Sequence, residues 1–204
     1  LSALYFDIRK DSLYCDRPDS VKRRAVRTVM DEVFNRLTAW LSPLTPFTME
    51  EAWTTRFPDA GTNCARVIPA TPAEWENVTE ETRWNAMKQL LELVTLRLED
   101  ARRDKVIGGA LDAKVTLVQC LREPPYGNDS DVLWPFSGID AADVFRTSQA
   151  EISRTTYPLS DEIMAIGHPA EWYGHNLIVK VERLDIPKCA RSWRRVPDVG
   201  SDPA

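Results

Sequence analysis

Glu99-Asp-Ala-Arg-Arg-Asp-Lys-Val-Ile-Gly-Gly-Ala-Leu-Asp-Ala-Lys-Val-Thr-Leu-Val-Gln-Cys-Leu121 is the stretch on which the fold turns. Before it, apolar residues recur every three or four positions. Trp84, Met87, Leu91, Val94, Leu98 and Ala101 lie along one helical face. After Gly108-Gly109 the period becomes two. Ala113 to Leu121 alternates and is rich in β-branched residues, as a strand does. The change of period predicts an α+β chain, with a helical part over residues 1–107 and a small α/β part over 108–204.

Upstream of this junction, Asp19-Ser20 is a capping signal for a helix running to about Leu41. Its apolar positions, from Val21, Val26 and Met30 to Phe34, Leu37 and Trp40, form a wide stripe. Pro43 and Pro46 end it. Thr48 followed by Glu51 has the form of a capping box, predicting a short helix from Met49 to about Phe57. Residues 58–78, rich in Pro, Thr and Asn, read as a connection, and Thr79 is placed to cap a second long helix ending near Lys105. Leu1, Leu4, Tyr5 and Ile8 share a face, as in a chain that continues from something longer. These amphipathic helices are predicted to close as an antiparallel bundle. Downstream, Pro124–Asp129 reads as a loop, Asp140–Val144 as a turn of helix, Phe145–Ile152 as a strand candidate and Leu177–Leu184 as a firm strand. The stretch from 154 to 175 stays open.

Lys and Arg number 26 against 31 Asp and Glu, a net charge of -5. Affinity of the whole chain for nucleic acid is therefore disfavoured, and any such binding must come from local patches. Lys22, Arg23, Arg24 and Arg27 make one. Arg102, Arg103 and Lys105 make another. Between Lys180 and Arg195 six basic residues (Lys180, Arg183, Lys188, Arg191, Arg194, Arg195) face two acidic ones, Glu182 and Asp185. No apolar run approaches the ~20 residues of a membrane span. Cys15, Cys64, Cys120 and Cys189 are scattered without a C-x-x-C pair, which fits reduced cytosolic thiols.

Catalytic patterns are missing: the sequence holds no G-x-x-x-x-G-K, no G-x-G-x-x-G and no H-E-x-x-H. His168 precedes a proline and His175 follows a glycine, so both are expected in surface loops. Glu50-Glu51 and Glu80-Glu81 are expected in first turns of helices, where acids complement the dipole. Glu99-Asp100, beside Arg97, Arg102 and Arg103, reads as a charge-paired helix face. No residue is assigned a catalytic role.

Three segments carry a resemblance. Leu1-Ser-Ala-Leu-Tyr-Phe-Asp-Ile-Arg-Lys-Asp-Ser-Leu-Tyr-Cys-Asp resembles the segment that opens the anticodon-binding bundle of isoleucyl-tRNA synthetases. Leu41-Ser-Pro-Leu-Thr-Pro-Phe-Thr-Met-Glu-Glu-Ala-Trp is similar to a signature shared by the isoleucyl, valyl and leucyl enzymes of class I. Glu99 to Ala113 resembles the helix-to-strand junction that follows, and the three together span most of residues 1–117. A fourth segment, Lys188-Cys-Ala-Arg-Ser-Trp, resembles the Lys-Cys-x-x-Cys-Trp element that begins the family's C-terminal zinc module, with Ser192 in place of the second cysteine.

The resemblance implies a helical anticodon-binding bundle followed by a small α/β domain. It implies a fragment that recognises tRNA and catalyses nothing, since the family's HIGH and KMSKS sequences are not in it. The parent enzyme would be cytoplasmic and would attach isoleucine to tRNA with ATP and Mg. The implied partners are tRNA and the remainder of the synthetase chain, and no membrane. Zinc is not expected at Cys189, because a serine hydroxyl replaces poorly for thiolate. Candidate tRNA contacts are Arg9, Lys10, Lys22, Arg23, Arg24, Arg27, Arg102, Arg103, Lys105, Arg191, Trp193 and Arg194. Trp193 matches the position that the family's zinc element associates with the anticodon, and a packing role is its alternative. Trp40, Trp53 and Trp84 are expected in the core. Two other readings stand beside this one: a bracing module of another class I synthetase such as the valyl enzyme, and a freestanding interaction bundle.

Overall fold

The computed structural model describes residues 2–121, 131–156, 161, 170–172, 175–197 and 199. A turn of π-helix, Ser2–Phe6, leads into α1 (Asp7–Tyr14), α2 (Val21–Leu41), α3 (Pro46–Arg56) and α4 (Val78–Arg103). Then come β1 (Ala113–Leu121), α5 (Ala141–Phe145), β2 (Gln149–Thr156), β3 (Ala170–Trp172) and β4 (His175–Arg183). Two compact units result, residues 9–77 and residues 1–8 with 78–204. This division differs from a boundary at 107, because α4 groups with the sheet.

In unit 9–77, Ser20 caps α2 as its sequence predicts, its hydroxyl accepting the Arg23 amide at 3.3 Å. The next helix begins three residues earlier than the Thr48–Glu51 pattern predicts. Pro46 takes the first helical position, where a fixed φ and a missing N–H cost nothing. Thr48 and Glu51 therefore lie inside α3. Trp53 is the buried centre. Its ring lies 4.6 Å from Phe57, and its indole N–H donates to the Gly61 carbonyl at 3.1 Å. Gly61 holds φ +76°, a conformation that favours glycine.

The stretch read as a plain connection is bolted down by polar side chains. Buried Asn63 donates from Nδ2 to the Thr38 carbonyl and from its backbone to Glu50 Oε2, both at 2.9 Å. Arg66 donates to Asn63 Oδ1 (2.9 Å), Thr38 Oγ1 (3.0 Å) and the Asn35 carbonyl (3.0 Å), and its guanidinium sits 3.5 Å over the Trp53 ring. Burial pulls the Arg66 guanidinium down from its ordinary range. Glu50, expected in a first turn to serve the dipole, instead serves Asn63. The stripe of α2 is covered only in part. Val26, Thr38 and Ala39 are buried, while Trp40 is 46% exposed and so does not take the core place its spacing predicts.

In the other unit α4 begins at Val78, so Thr79 is its second residue rather than its cap. The helix ends through paired backbone bonds, Val106 N–H to the Ala101 carbonyl (2.9 Å) and Lys105 N–H to the Arg102 carbonyl (3.1 Å). Lys105 takes the left-handed conformation at φ +60° that such a motif requires. The helix is thus closed before Gly108 is reached. Met87, Leu90, Leu91, Val94 and Leu98 of α4 join Val115 and Leu117 of β1, Leu177 of β4, Phe136 and Phe145 in one core. Each such side chain contributes roughly 1.5–3 kcal/mol by burial. Within this unit the apolar face of α4 packs on the sheet, on α5 and on the turn at Trp134–Phe136.

Sheet order is β2-β1-β4-β3, with β1 parallel to β2 and antiparallel to β4. Asp140 caps α5 by accepting the Ala142 amide at 2.9 Å. Because α5 runs through Phe145 and Arg146 turns left-handed (φ +58°), the strand expected from Phe145 starts instead at Gln149. His175, expected in a loop, is the first residue of β4 and pairs with Trp172. His168 and the Pro124–Asp129 loop lie outside the described residues.

Candidate nucleic-acid interface

The first two turns of α2 carry Lys22, Arg23, Arg24 and Arg27 and no acid in the first turn. A helix N-terminus is the positive end of the dipole and disfavours cations, by about 0.3–1 kcal/mol each. Residues placed there against the local field are suited to meeting an external anion, which both field and side chains attract. Lys22, Arg24 and Arg27 are exposed. Arg23 is half-buried, and its NH1 donates to the Asp16 carbonyl at 2.8 Å, so it secures the entry turn. In α1, Arg9 is half-buried and Lys10 exposed.

At the end of α4 the cations are balanced locally. Arg102 lies 3.6 Å from Glu99, and Asp100 takes both Arg103 at 2.6 Å and Arg97 at 3.4 Å. Exposed pairs of this kind hold loosely, at roughly 0.2–1 kcal/mol, and exchange readily for a stronger anion. Lys105 is exposed just beyond them.

The third group lies on a hairpin closed by a Lys188–Arg195 bridge. Inside it the Cys189 N–H donates to the Arg194 carbonyl (2.8 Å) and the Trp193 N–H to the Cys189 carbonyl (2.9 Å). Trp193 sits at φ +64° and is 61% exposed, with Lys188 Nζ 5.3 Å from its ring centre. Arg191 is exposed at the tip. Arg194 points inward instead, pairing with buried Asp143 at 2.9 Å. Arg195 bonds Asp112 (2.8 Å) and the Ile186 carbonyl (2.9 Å). The Arg195 hydrogen bond holds the Asp112 carboxyl below its usual range. The hydroxyl and amide of Ser192, with the Arg191 amide, hold the Cys189 thiol below its own.

The twelve candidates thus fall six and six between the two units. Within its unit the structure gathers Lys22, Arg23, Arg24 and Arg27 at one helix end, and Arg191 and Trp193 on one hairpin. Lys188 is the residue that the candidate set omits. Its signal in the sequence is its place in the basic cluster from Lys180 to Arg195 and at the head of the Lys188-Cys-Ala-Arg-Ser-Trp segment. Among the described residues, no helix is long and apolar enough to cross a membrane.

A family model described as the anticodon-binding domain of tRNA ligase matches residues 1–117. Along its whole length the chain is 46% identical to an isoleucine–tRNA ligase of Caulobacter vibrioides. It is 41% identical to that of Agrobacterium fabrum and 40% to that of Mesorhizobium japonicum. It spans 19% of the length of each of these relatives. The matched range takes in all of unit 9–77, α4 and half of β1, and with it the basic end of α2. The chain belongs to the family of anticodon-binding domains of tRNA ligases.

Proposed function

We propose that this chain reads the anticodon arm of isoleucine tRNA as part of a longer, cytoplasmic isoleucine–tRNA ligase. The remainder of that chain attaches isoleucine with ATP and Mg. The observation that carries the reading is identity along the full chain to isoleucine–tRNA ligases, with a basic helix end inside the matched family domain. The valyl alternative rests on the segment from Leu41 to Trp53 alone, whereas the isoleucyl relatives match every part of the chain.

An anticodon loop is single-stranded and offers splayed bases and closely spaced phosphates. Lys22, Arg24 and Arg27, with Arg9 and Lys10, suit the phosphates, and Arg23 holds the turn that presents them. Arg102, Arg103 and Lys105 form a second phosphate face, their local acids yielding to RNA. Trp193 suits a base, with Lys188 and Arg191 beside it. Stacking of this kind contributes ~1–3 kcal/mol per base. Arg194 supports the hairpin from behind rather than touching RNA.

Titration of the chain with isoleucine tRNA and with an anticodon-swapped tRNA tests the reading. Preferential binding of the first is expected, weakening linearly in log–log form with salt. Equal and negligible binding to both would sink it.

A further inference from the structure

The resemblance of the hairpin to a zinc element invites a test of its donor set. A structural zinc takes four thiolate, imidazole or carboxylate ligands. Here the two positions are Cys189 and Ser192, and the serine hydroxyl is turned onto the cysteine sulfur. Among the described residues no group of three or more His, Cys, Asp or Glu can hold a metal ion. These residues do not fit zinc.

The hairpin is nonetheless well tied. Arg194 reaches Asp143 in α5, in a pair whose side chains are 18% and 8% exposed. Arg195 reaches Asp112, in the turn before β1, in a pair 21% and 20% exposed. The Arg195 amide donates to Ser148 Oγ at 2.6 Å, and that hydroxyl donates to the Leu111 carbonyl. Val196 N–H closes the base on the Pro187 carbonyl at 3.1 Å. Two adjacent arginines thus engage two separate anchors on the core, which restrains both translation and rotation of the loop. A charge-paired contact with little solvent around it is geometrically specific, and removing one partner leaves the other buried and unmatched.

We infer that the Arg194–Asp143 and Arg195–Asp112 clamps do the ordering that zinc does in the resembling element, so that the hairpin presents Trp193 and Lys188 without metal. The four residues are positioning residues, and the RNA side of the claim rests on the function proposed above.

The test uses the full chain. Metal analysis after purification is expected to find far less than one zinc per chain, and a chelator is expected to leave tRNA affinity unchanged. Hydrogen exchange then reads the hairpin directly. Arg195→Met and Asp112→Asn should speed exchange at the Cys189, Trp193 and Val196 amides by roughly tenfold or more, while α4 and β1 keep their protection. Arg195→Lys should restore part of that protection, which general destabilisation would not predict. Stoichiometric zinc, affinity lost to chelator, or exchange unchanged in Arg195→Met overturns the inference. Trp193→Ala separates it from the functional reading: unchanged tRNA binding in that variant removes the RNA role, while the exchange result still decides the clamps.

Discussion

The start of α2 and the hairpin at 188–195 have nearly the same composition and opposite physics. Each packs four cations into eight residues. On α2, Lys22, Arg24 and Arg27 stand exposed at a helix end whose dipole opposes them. On the hairpin, Arg194 and Arg195 turn inward onto Asp143 and Asp112, while Lys188, Arg191 and Trp193 are exposed. A dense run of positive charge is therefore two different things. Exposed on a helix end it is a surface open to an external anion, held against the helix dipole. Paired with a buried and a half-buried carboxylate it is part of the scaffold.

Breaking a clamp should give the largest effect. Arg195→Met is expected to cost about 2–3 kcal/mol in the local stability of the hairpin, because Asp112 is left without its main partner. Denaturant dependence of hydrogen exchange measures it. A loss below half a kcal/mol would make the hairpin no different from the α2 cluster.

The triple change Lys22→Ala, Arg24→Ala, Arg27→Ala should do the reverse. Stability is expected to rise, by roughly 0.3–1 kcal/mol for each of Lys22 and Arg24, because cations are removed from the first turn of a helix; Arg27 lies beyond that turn and should add little. The slope of log affinity for tRNA against log salt should fall by about 2, at ~0.7 per single-stranded phosphate contact. Melting temperature and salt titration together check both halves. Affinity unchanged with stability raised would leave these residues as a solvated face.

Acid should separate the two regions more gently. The Asp112 carboxyl is held low in the folded chain, first by its hydrogen bond from Arg195. Its stabilising contribution is complete above the ordinary carboxylate range and is lost as pH falls through the lower folded value. The hairpin amides should stay protected in mild acid and open only below that range, as exchange across a pH series would record. In Asp112→Asn this acid step should vanish.

The smallest expected effect is on thiol chemistry. Cys189, held low by Ser192 and Arg191, should react with iodoacetamide faster than Cys120, whose thiol is pushed up by burial. Mass spectrometry of a short alkylation near neutral pH distinguishes them, and equal rates would argue against the hairpin geometry around Cys189.

Much of the secondary structure was legible in the residues. The Ser20 cap, the extent of α2, the strand from Ala113 to Leu121 and the Asp140 turn all follow from local rules of capping and period. The misses share a cause. Thr48–Glu51 has the form of a capping box, yet Pro46 starts α3 because a proline already has the dihedral of a first turn. Trp40 lies on the stripe of α2 and is exposed, since a stripe says which side is apolar and not how much of it finds cover. The stretch 58–78 looks like filler, because nothing local marks Asn63 and Arg66 as reaching Thr38 and Asn35. Of the candidate site, the clusters were legible as clusters; the inward turn of Arg194 was not.

The sequence by itself determined the elements, the change of period at Gly108-Gly109 and, through the order of its segments, the family. These depend on neighbours within a few positions, or on patterns read residue by residue. Tertiary structure alone decided which cations stay exposed and which hold the chain together. Arg194 meets Asp143 across 51 residues and Arg195 meets Asp112 across 83. A charge is neutralised by whatever the fold brings within about 3 Å of it, and that distance is not written in the order of the residues.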